Sequence, residues 1–219
     1  MKIGVLGLGL IGGSIFKKLS EFEEYEIVGI SRSVKKKNVF KDYSYLKDCK
    51  IVFVCTPMNA TLSVLEELEN YLSENTIVTD VCSLKEFVSK KNYKYKFIPS
   101  HPMAGTENNG WNASFSELFN GAIWAITPLD SKITKDVEIL ESIIEKLGAN
   151  SIITTPKDHD KAVEWFEKSA MQGVAQAQFN LSYILFFGKE KQIHYGNADE
   201  WCQKAKNNGI VDGMLQSVE

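Results

Sequence analysis

A chain of 219 residues can bury one good core, or one core with a small annex. Its apolar content of 44% and charged content of 24% are ordinary for a soluble globular protein. A net charge of −3 gives no electrostatic grip on nucleic acid or an anionic membrane surface. Cys49, Cys55, Cys82 and Cys202 show no metal-ligand spacing and are too few for a disulfide scaffold, which points to no metal and to reduced thiols in a cytoplasmic protein.

The start, "MKIGVLGLGLIGGS", sets a lysine before an apolar run as a signal peptide does. Glycines at fixed offsets interrupt that run, however, and no small-residue cleavage site follows. No window is apolar for the length a membrane helix needs. The expectation is a soluble protein with no membrane and no nucleic-acid partner.

Residues 2–7 read as a β-rich run ending in glycine, and residues 11–21 carry helical periodicity through Ile11, Ile15, Phe16 and Leu19. Residues 25–31 form a second strand candidate, and residues 49–57 are apolar almost throughout, as a strand buried on both faces should be. A helix over about 59–72 puts Leu62, Leu65, Leu68 and Leu72 on one side. Strands are expected at 75–81 and 95–102, with a helix near 84–92 between them. A further strand at 121–128 leads to a helix at 133–147 that stops at Gly148, a good C-terminal cap position. Residues 150–156 close the series. Alternation of this kind predicts an α/β fold of Rossmann type, a doubly wound, mostly parallel sheet.

From about Ala162 the texture changes, and an internal repeat appears. Ala162, Trp165, Lys168 and Gly173 recur as Ala198, Trp201, Lys204 and Gly209, each thirty-six positions on, a period of helix-pair solenoids. Ala177, Leu181, Ile184 and Leu185 lie at helical spacing between the two copies. The expected organisation is a dinucleotide-binding domain over 1–160 and a small all-α C-terminal annex over 161–219.

Gly7-Leu8-Gly9-Leu10-Ile11-Gly12 fits G-x-G-x-x-G between an expected strand and an expected helix, the context this motif requires. Gly7 permits the tight turn, Gly9 lets backbone approach a pyrophosphate, and Gly12 lets helix and strand pack closely. Free N–H groups at the helix start then meet the phosphate charge. The second strand ends in Ser31-Arg32-Ser33, followed by Lys35, Lys36 and Lys37, with no carboxylate to hold a ribose 2′-hydroxyl. An arginine there suits a 2′-phosphate, so NADP is preferred over NAD; the alternative is an Arg32 that stacks on adenine beside solvated lysines.

Residues 100–119, "SHPMAGTENNGWNASFSELF", form a long polar loop expected at the carboxyl edge of the sheet, where such folds bind ligands. His101, stiffened by Pro102, has the chemistry to accept a proton from a hydroxyl as hydride leaves the same carbon. On sequence logic alone a structural histidine is equally admissible. His159 in "KDHDKAV" reads as a helix-start residue and His194 as a solvated loop residue. Trp165 and Trp201 read as core packing, and Cys82 as an unreactive thiol.

The segments "GLGLIGGS", "CTP", "TDVCSLK", "SHPMAGTE" and "TPKDHDKAV", in this order and spacing, resemble the prephenate/arogenate dehydrogenase family of tyrosine biosynthesis over about residues 1–165. The resemblance implies NAD(P)-dependent oxidative decarboxylation of a cyclohexadienyl substrate, prephenate or arogenate. It implies that His101 takes the proton of the substrate hydroxyl, and that Ser83 bonds the same hydroxyl or orients His101. Ser83 also reads as a helix N-cap. Thr106 and Glu107 would face the substrate's carboxylate end, and Cys55, Thr56 and Pro57 would flank the nicotinamide.

After Trp165 the text "FEKSAMQGVAQAQFNL" is similar instead to a Sel1-type repeat, with a junction expected within 160–168. The family's helical domain, with its S-H-L-P-H segment and carboxylate-binding arginine, has no match there. The expectation is therefore an impaired dehydrogenase whose helical tail packs on the first domain, on a second copy in a homodimer, or on a partner protein. The alternative is a catalytically weak or inactive nucleotide-binding module whose Sel1-like helices bind a partner.

Overall fold

The computed structural model describes residues 1–106, 108–130, 132–161, 171–173 and 198–208. The apolar run Ile51–Val54 (β4) is buried at all four positions because it has neighbours on both edges and helices on both faces. It pairs in parallel with β1 (Lys2–Leu6) on one side and β5 (Ile77–Asp80) on the other. Outward from β1 lie β2 (Glu26–Ile30) and the short β3 (Val39–Phe40); outward from β5 lies β6 (Lys96–Phe97). The order is β3-β2-β1-β4-β5-β6, with every pairing parallel.

Period-2 alternation divides these strands between two apolar layers. Ile3, Val5, Ile51 and Phe53 join Ile15 and Leu19 of α1 (Leu10–Leu19) on one face. Leu6, Val52 and Val54 join Leu65 and Leu68 of α2 (Met58–Leu68) on the other. A short α3 (Lys85–Val88) follows β5, in place of the longer helix expected over 84–92.

The single strand expected over 95–102 is two strands in two sheets. Ile98 N–H still donates to Val78 O (2.9 Å), while the Pro99 carbonyl faces the opposite edge and accepts from Thr127 N–H (2.8 Å), and the chain leaves the parallel sheet there. Ser100–Pro102 (β7) then pairs antiparallel with β8 (Ile123–Ile126), which pairs in parallel with β9 (Asn150–Ile153). Between β8 and β9 runs α4 (Lys135–Lys146), capped by Thr134 Oγ1 on Val137 N–H. Val137, Leu140, Ile143 and Ile144 pack it into the same layer as α1. Gly148, in the left-handed region at φ +92°, ends it as the sequence suggested.

Thr155 caps the helical segment 156–161. Its Oγ1 accepts from Asp158 N–H (3.0 Å) and donates to Asp158 Oδ2 (2.8 Å), with Pro156 at the first helical position. Of the annex, α5 (Ala198–Asn207) buries Trp201 and Ala205, four residues apart on one face, and Lys204 Nζ lies 4.0 Å from the Trp201 ring centre. Ala162, Trp165 and Lys168 of the first copy of the repeat, its partner helix and His194 lie outside the described residues. No helix among the described residues is long and apolar enough to cross a membrane.

Candidate functional site

The glycine turn builds one end of a cleft of about 1000 Å³ at the carboxyl edge of the parallel sheet. Gly7 takes φ +91°, and its N–H donates to Ile30 O (3.0 Å), so the turn is locked to β2. Gly12 lies against the Gly7 carbonyl, and a Cβ there would collide with that oxygen and with Cys55 Cβ. Gly9, at the α1 N-cap, opens on empty space; no side chain caps the helix and its first turn carries no acid. Outward N–H groups, an open approach and no negative charge suit a pyrophosphate. Gly12→Ala is expected to cost about 1–3 kcal/mol by overpacking. Urea unfolding should show that loss, and a dinucleotide titration should show weakened binding.

At the end of β2, Ser31 N–H donates to Phe40 O (2.9 Å), and Ser31 Oγ accepts from the N–H groups of Ser33 and Val34 (3.3 and 3.1 Å). This turn carries Arg32 and Ser33 at the exposed rim of the cleft. At the end of β4, Cys55 N–H donates to Leu6 O (2.7 Å), and Thr56 and Thr61 hydroxyls meet at 3.0 Å. Pro57 occupies the N-cap of α2, and all three of Cys55, Thr56 and Pro57 line the cleft. Burial pushes the Cys55 thiol far up and the Cys82 thiol up to about 12, so neither is a ready nucleophile.

Ser83, His101 and Trp111 line the same cleft. A buried clamp aims His101. Lys85 Nζ, fully buried, donates to Asp80 Oδ2 and to Ser100 O, each at 2.6 Å, which ties β7 to the end of β5. Ser100 Oγ donates to Asp80 O (3.0 Å) and accepts from Trp124 Nε1 (2.9 Å). The next residue, His101, therefore sits on a strand held from both sides.

His101 Nδ1 lies 3.1 Å from His159 Nε2, the two rings meeting edge to face. His159 Nδ1 lies 2.9 Å from Asp160 Oδ1. Burial, the neighbouring His159 and the Lys85 charge hold the His101 imidazole well below its ordinary value, so it is neutral near pH 7. Burial pushes the Asp160 carboxyl up. Hydrogen bonds from His159 and from the N–H groups of Lys85 and Glu86 outweigh that effect and hold it below the usual carboxylate range.

Ser83 and His101 share the cleft wall, but Ser83 is not the N-cap suggested by its position. Leu84 occupies that place, and the carboxylate that caps α3 belongs to Asp160, reaching across from the 156–161 segment. Thr106 lies in the loop that follows β7. It is buried, its hydroxyl bonds Asn108 N–H and O within its own loop (3.3 Å each), and it is not on the cleft wall. Glu107 lies outside the described residues.

Sequence reasoning missed His159, Asp160 and Trp111. The signal for the first two was the Thr155-Pro156-Lys157-Asp158 capping pattern, which sets the helical register in which both follow. Trp111 packs edge-on against Phe16, under Lys17 Nζ at 4.7 Å from its ring centre. Lys17 Nζ also donates to Ser114 O (2.5 Å), and Ser14 Oγ accepts from Phe115 N–H (3.1 Å), so the long loop docks on α1.

A family model described as the prephenate dehydrogenase nucleotide-binding domain matches residues 27–153, and the Sel1 repeat model matches residues 148–174 and 175–210. The first repeat match begins inside the sheet, since residues 150–153 form β9. Prephenate dehydrogenase of Bacillus subtilis (strain 168) is 31% identical over 172 residues, covering 70% of this chain and 46% of the relative. The prephenate dehydrogenase of Lactococcus lactis subsp. cremoris (strain MG1363) is 30% identical over 177 residues, covering 73% and 48%. The chain thus spans about half the length of these relatives. Among solved structures, Synechocystis arogenate dehydrogenase superposes with a TM-score of 0.70 at 29% identity, over 99% of this chain and 87% of that one. Prephenate dehydrogenase from A. aeolicus, in complex with hydroxyphenyl propionate and NAD+, shares the fold at a TM-score of 0.64 and 19% identity, over 99% of this chain and 87% of that one.

Proposed function

Because the chain belongs to the prephenate dehydrogenase family, we propose that it carries out NAD(P)-dependent oxidative decarboxylation of prephenate or arogenate in tyrosine biosynthesis. One observation carries this reading: a single cleft joins the glycine turn to the neutral imidazole of His101. The open approach at Gly9 and the uncapped start of α1 fit a dinucleotide pyrophosphate. When bound, the nicotinamide supplies the hydride acceptor.

His101 takes the proton of the ring hydroxyl as that carbon is oxidised, carbon dioxide leaves and the ring becomes aromatic. Ser83, on the same wall, holds the hydroxyl. Cys55, Thr56 and Pro57 form the side of the cleft against the nicotinamide.

Ser31, Arg32 and Ser33 favour NADP over NAD, with Arg32 at the exposed rim of the cleft. Charge-assisted bonds of about 1.5–3 kcal/mol predict that Arg32→Ala raises the NADP Kd by roughly 10- to 150-fold and barely moves the NAD Kd. Fluorescence titration of both cofactors measures the ratio. Arg32 is also the only arginine in the sequence. The carboxylate-binding arginine of the family's helical domain therefore has no counterpart among these residues. Loss of such a pair, roughly 2–5 kcal/mol, would impair turnover efficiency.

The test is absorbance at the reduced-nicotinamide band with the purified chain, either cyclohexadienyl substrate and either cofactor. Growth of that band supports the reading. Flat traces beside tight cofactor binding overturn it in favour of a nucleotide-binding module, the reading that the Sel1 matches favour, in which the helical tail of 161–219 meets a second copy or a partner protein in the cytoplasm.

A further inference from the structure

We propose that His159 and Asp160 are positioning residues that select the tautomer of His101, placing its hydrogen on Nδ1 and leaving Nε2 bare for the substrate. The inference rests on His101 being the proton acceptor of the proposed reaction. It goes beyond that reading by giving a task to two residues that no comparison assigns.

The logic is a chain of obligatory donors and acceptors. Asp160 accepts N–H bonds from Lys85 at Oδ1 (2.8 Å) and from Glu86 at Oδ2 (2.9 Å). Two backbone donors require acceptor oxygens on both sides, which keeps the carboxylate ionised. An ionised carboxylate only accepts, so the hydrogen between Asp160 Oδ1 and His159 belongs to His159 Nδ1. With His159 neutral, as the proposal requires, its second nitrogen is an acceptor and Nε2 accepts. The 3.1 Å contact with His101 Nδ1 therefore requires the hydrogen on His101 Nδ1. His101 Nε2 is left with a lone pair on a residue that lines the cleft.

The arrangement serves the product of proton transfer as well. When the substrate hydroxyl gives its proton to His101 Nε2, the imidazolium keeps its Nδ1–H bond to His159. The new positive charge then lies two hydrogen bonds from the Asp160 carboxylate, and no proton needs to move along the chain. Lys85 is the other charged group facing this cluster, and its ammonium is committed to Asp80 and Ser100.

Buried neighbours are held in register by independent devices. The Thr155 cap fixes the first turn that carries His159, and Asp160 closes the open N-terminus of α3. Sequence separation between the two imidazoles is 58 positions, so their contact comes from the tertiary fold alone.

The experiment uses the full chain labelled with 15N-histidine. Long-range 1H–15N spectra at neutral pH distinguish protonated from bare ring nitrogens, and the His101→Asn and His194→Gln spectra assign the three imidazoles. The expected result is a bare Nε2 and a protonated Nδ1 at His101. His159→Phe should move the hydrogen of His101 to Nε2, whereas His159→Gln, which keeps an acceptor oxygen, should retain part of the Nδ1–H form. In turnover, His159→Phe should lower kcat by roughly 10²-fold with little change in KM.

A wild-type His101 protonated on Nε2, or a charged His159, overturns the proposal. The outcome separates cleanly from failure of the enzymatic reading. An Nδ1–H tautomer in a chain with no turnover refutes the reaction and leaves the relay standing, whereas turnover with an Nε2–H tautomer refutes the relay alone.

Discussion

His101→Asn is expected to lower kcat by roughly 10²- to 10⁴-fold, the contribution of a positioned general base. Dinucleotide affinity should be unchanged, because His101 bonds His159 rather than the glycine turn or the Ser31–Ser33 segment. Asparagine still offers an amide to His159, so the surroundings stay satisfied while the lone pair that receives the proton is gone. The acid limb of the pH profile gives a second readout. Neutral His101 is the competent form, and its burial beside His159 and Lys85 lowers its proton affinity. The acid limb set by protonation of His101 itself therefore lies below the ordinary histidine value of about 6.5.

The same shift bears on stability. In the window between the two values the unfolded chain binds the proton and the native chain does not. Stability is full above the ordinary value and declines as pH falls through the lowered one. His101→Asn removes this contribution, and its acid-unfolding midpoint should move to lower pH. An unchanged kcat would end the assignment of His101 as the proton acceptor.

The parallel α/β architecture was legible because its signals are local. Glycines at 7, 9 and 12 sit between a strand and a helix, and the unbroken apolar run at 51–54 marks a central strand. What escaped were features that depend on contacts across the fold. Pro99 lies within one expected strand, yet the chain changes sheets there, its carbonyl accepting from Thr127 N–H. Ser83 carries the local signature of an N-cap, but a carboxylate from 74 positions away takes the role at Glu86. The bond of the Thr106 hydroxyl to Asn108 within its own loop had no sequence signal either. His159 has charged sequence neighbours and a correctly read helix start; its meeting with His101 needs β7 and the 156–161 segment to converge.

Lys85→Met should be the most destabilising change in the first domain. The lysine and its partner Asp80 have no exposed side-chain surface, and the ammonium bridges Asp80 Oδ2 to the Ser100 carbonyl. Methionine fills similar volume, so the loss is electrostatic rather than a cavity. It strands a buried carboxylate whose remaining donors are the N–H groups of Cys82 at 2.8 Å and Ser100 at 3.3 Å. Breaking one side of a buried pair costs about 3–5 kcal/mol, against a total of about 5–15 kcal/mol for a typical domain. The urea midpoint should fall accordingly with an unchanged slope. Adding Asp80→Asn to Lys85→Met removes the stranded charge and should recover much of the loss. A midpoint shift below about 1 kcal/mol for Lys85→Met would show that water reaches Asp80, the regime of exposed ion pairs. The consequence for the site follows from position. Ser100 directly precedes His101, so loosening its carbonyl from Lys85 frees the strand that aims the imidazole, and the folded fraction of the variant should retain dinucleotide binding while losing turnover.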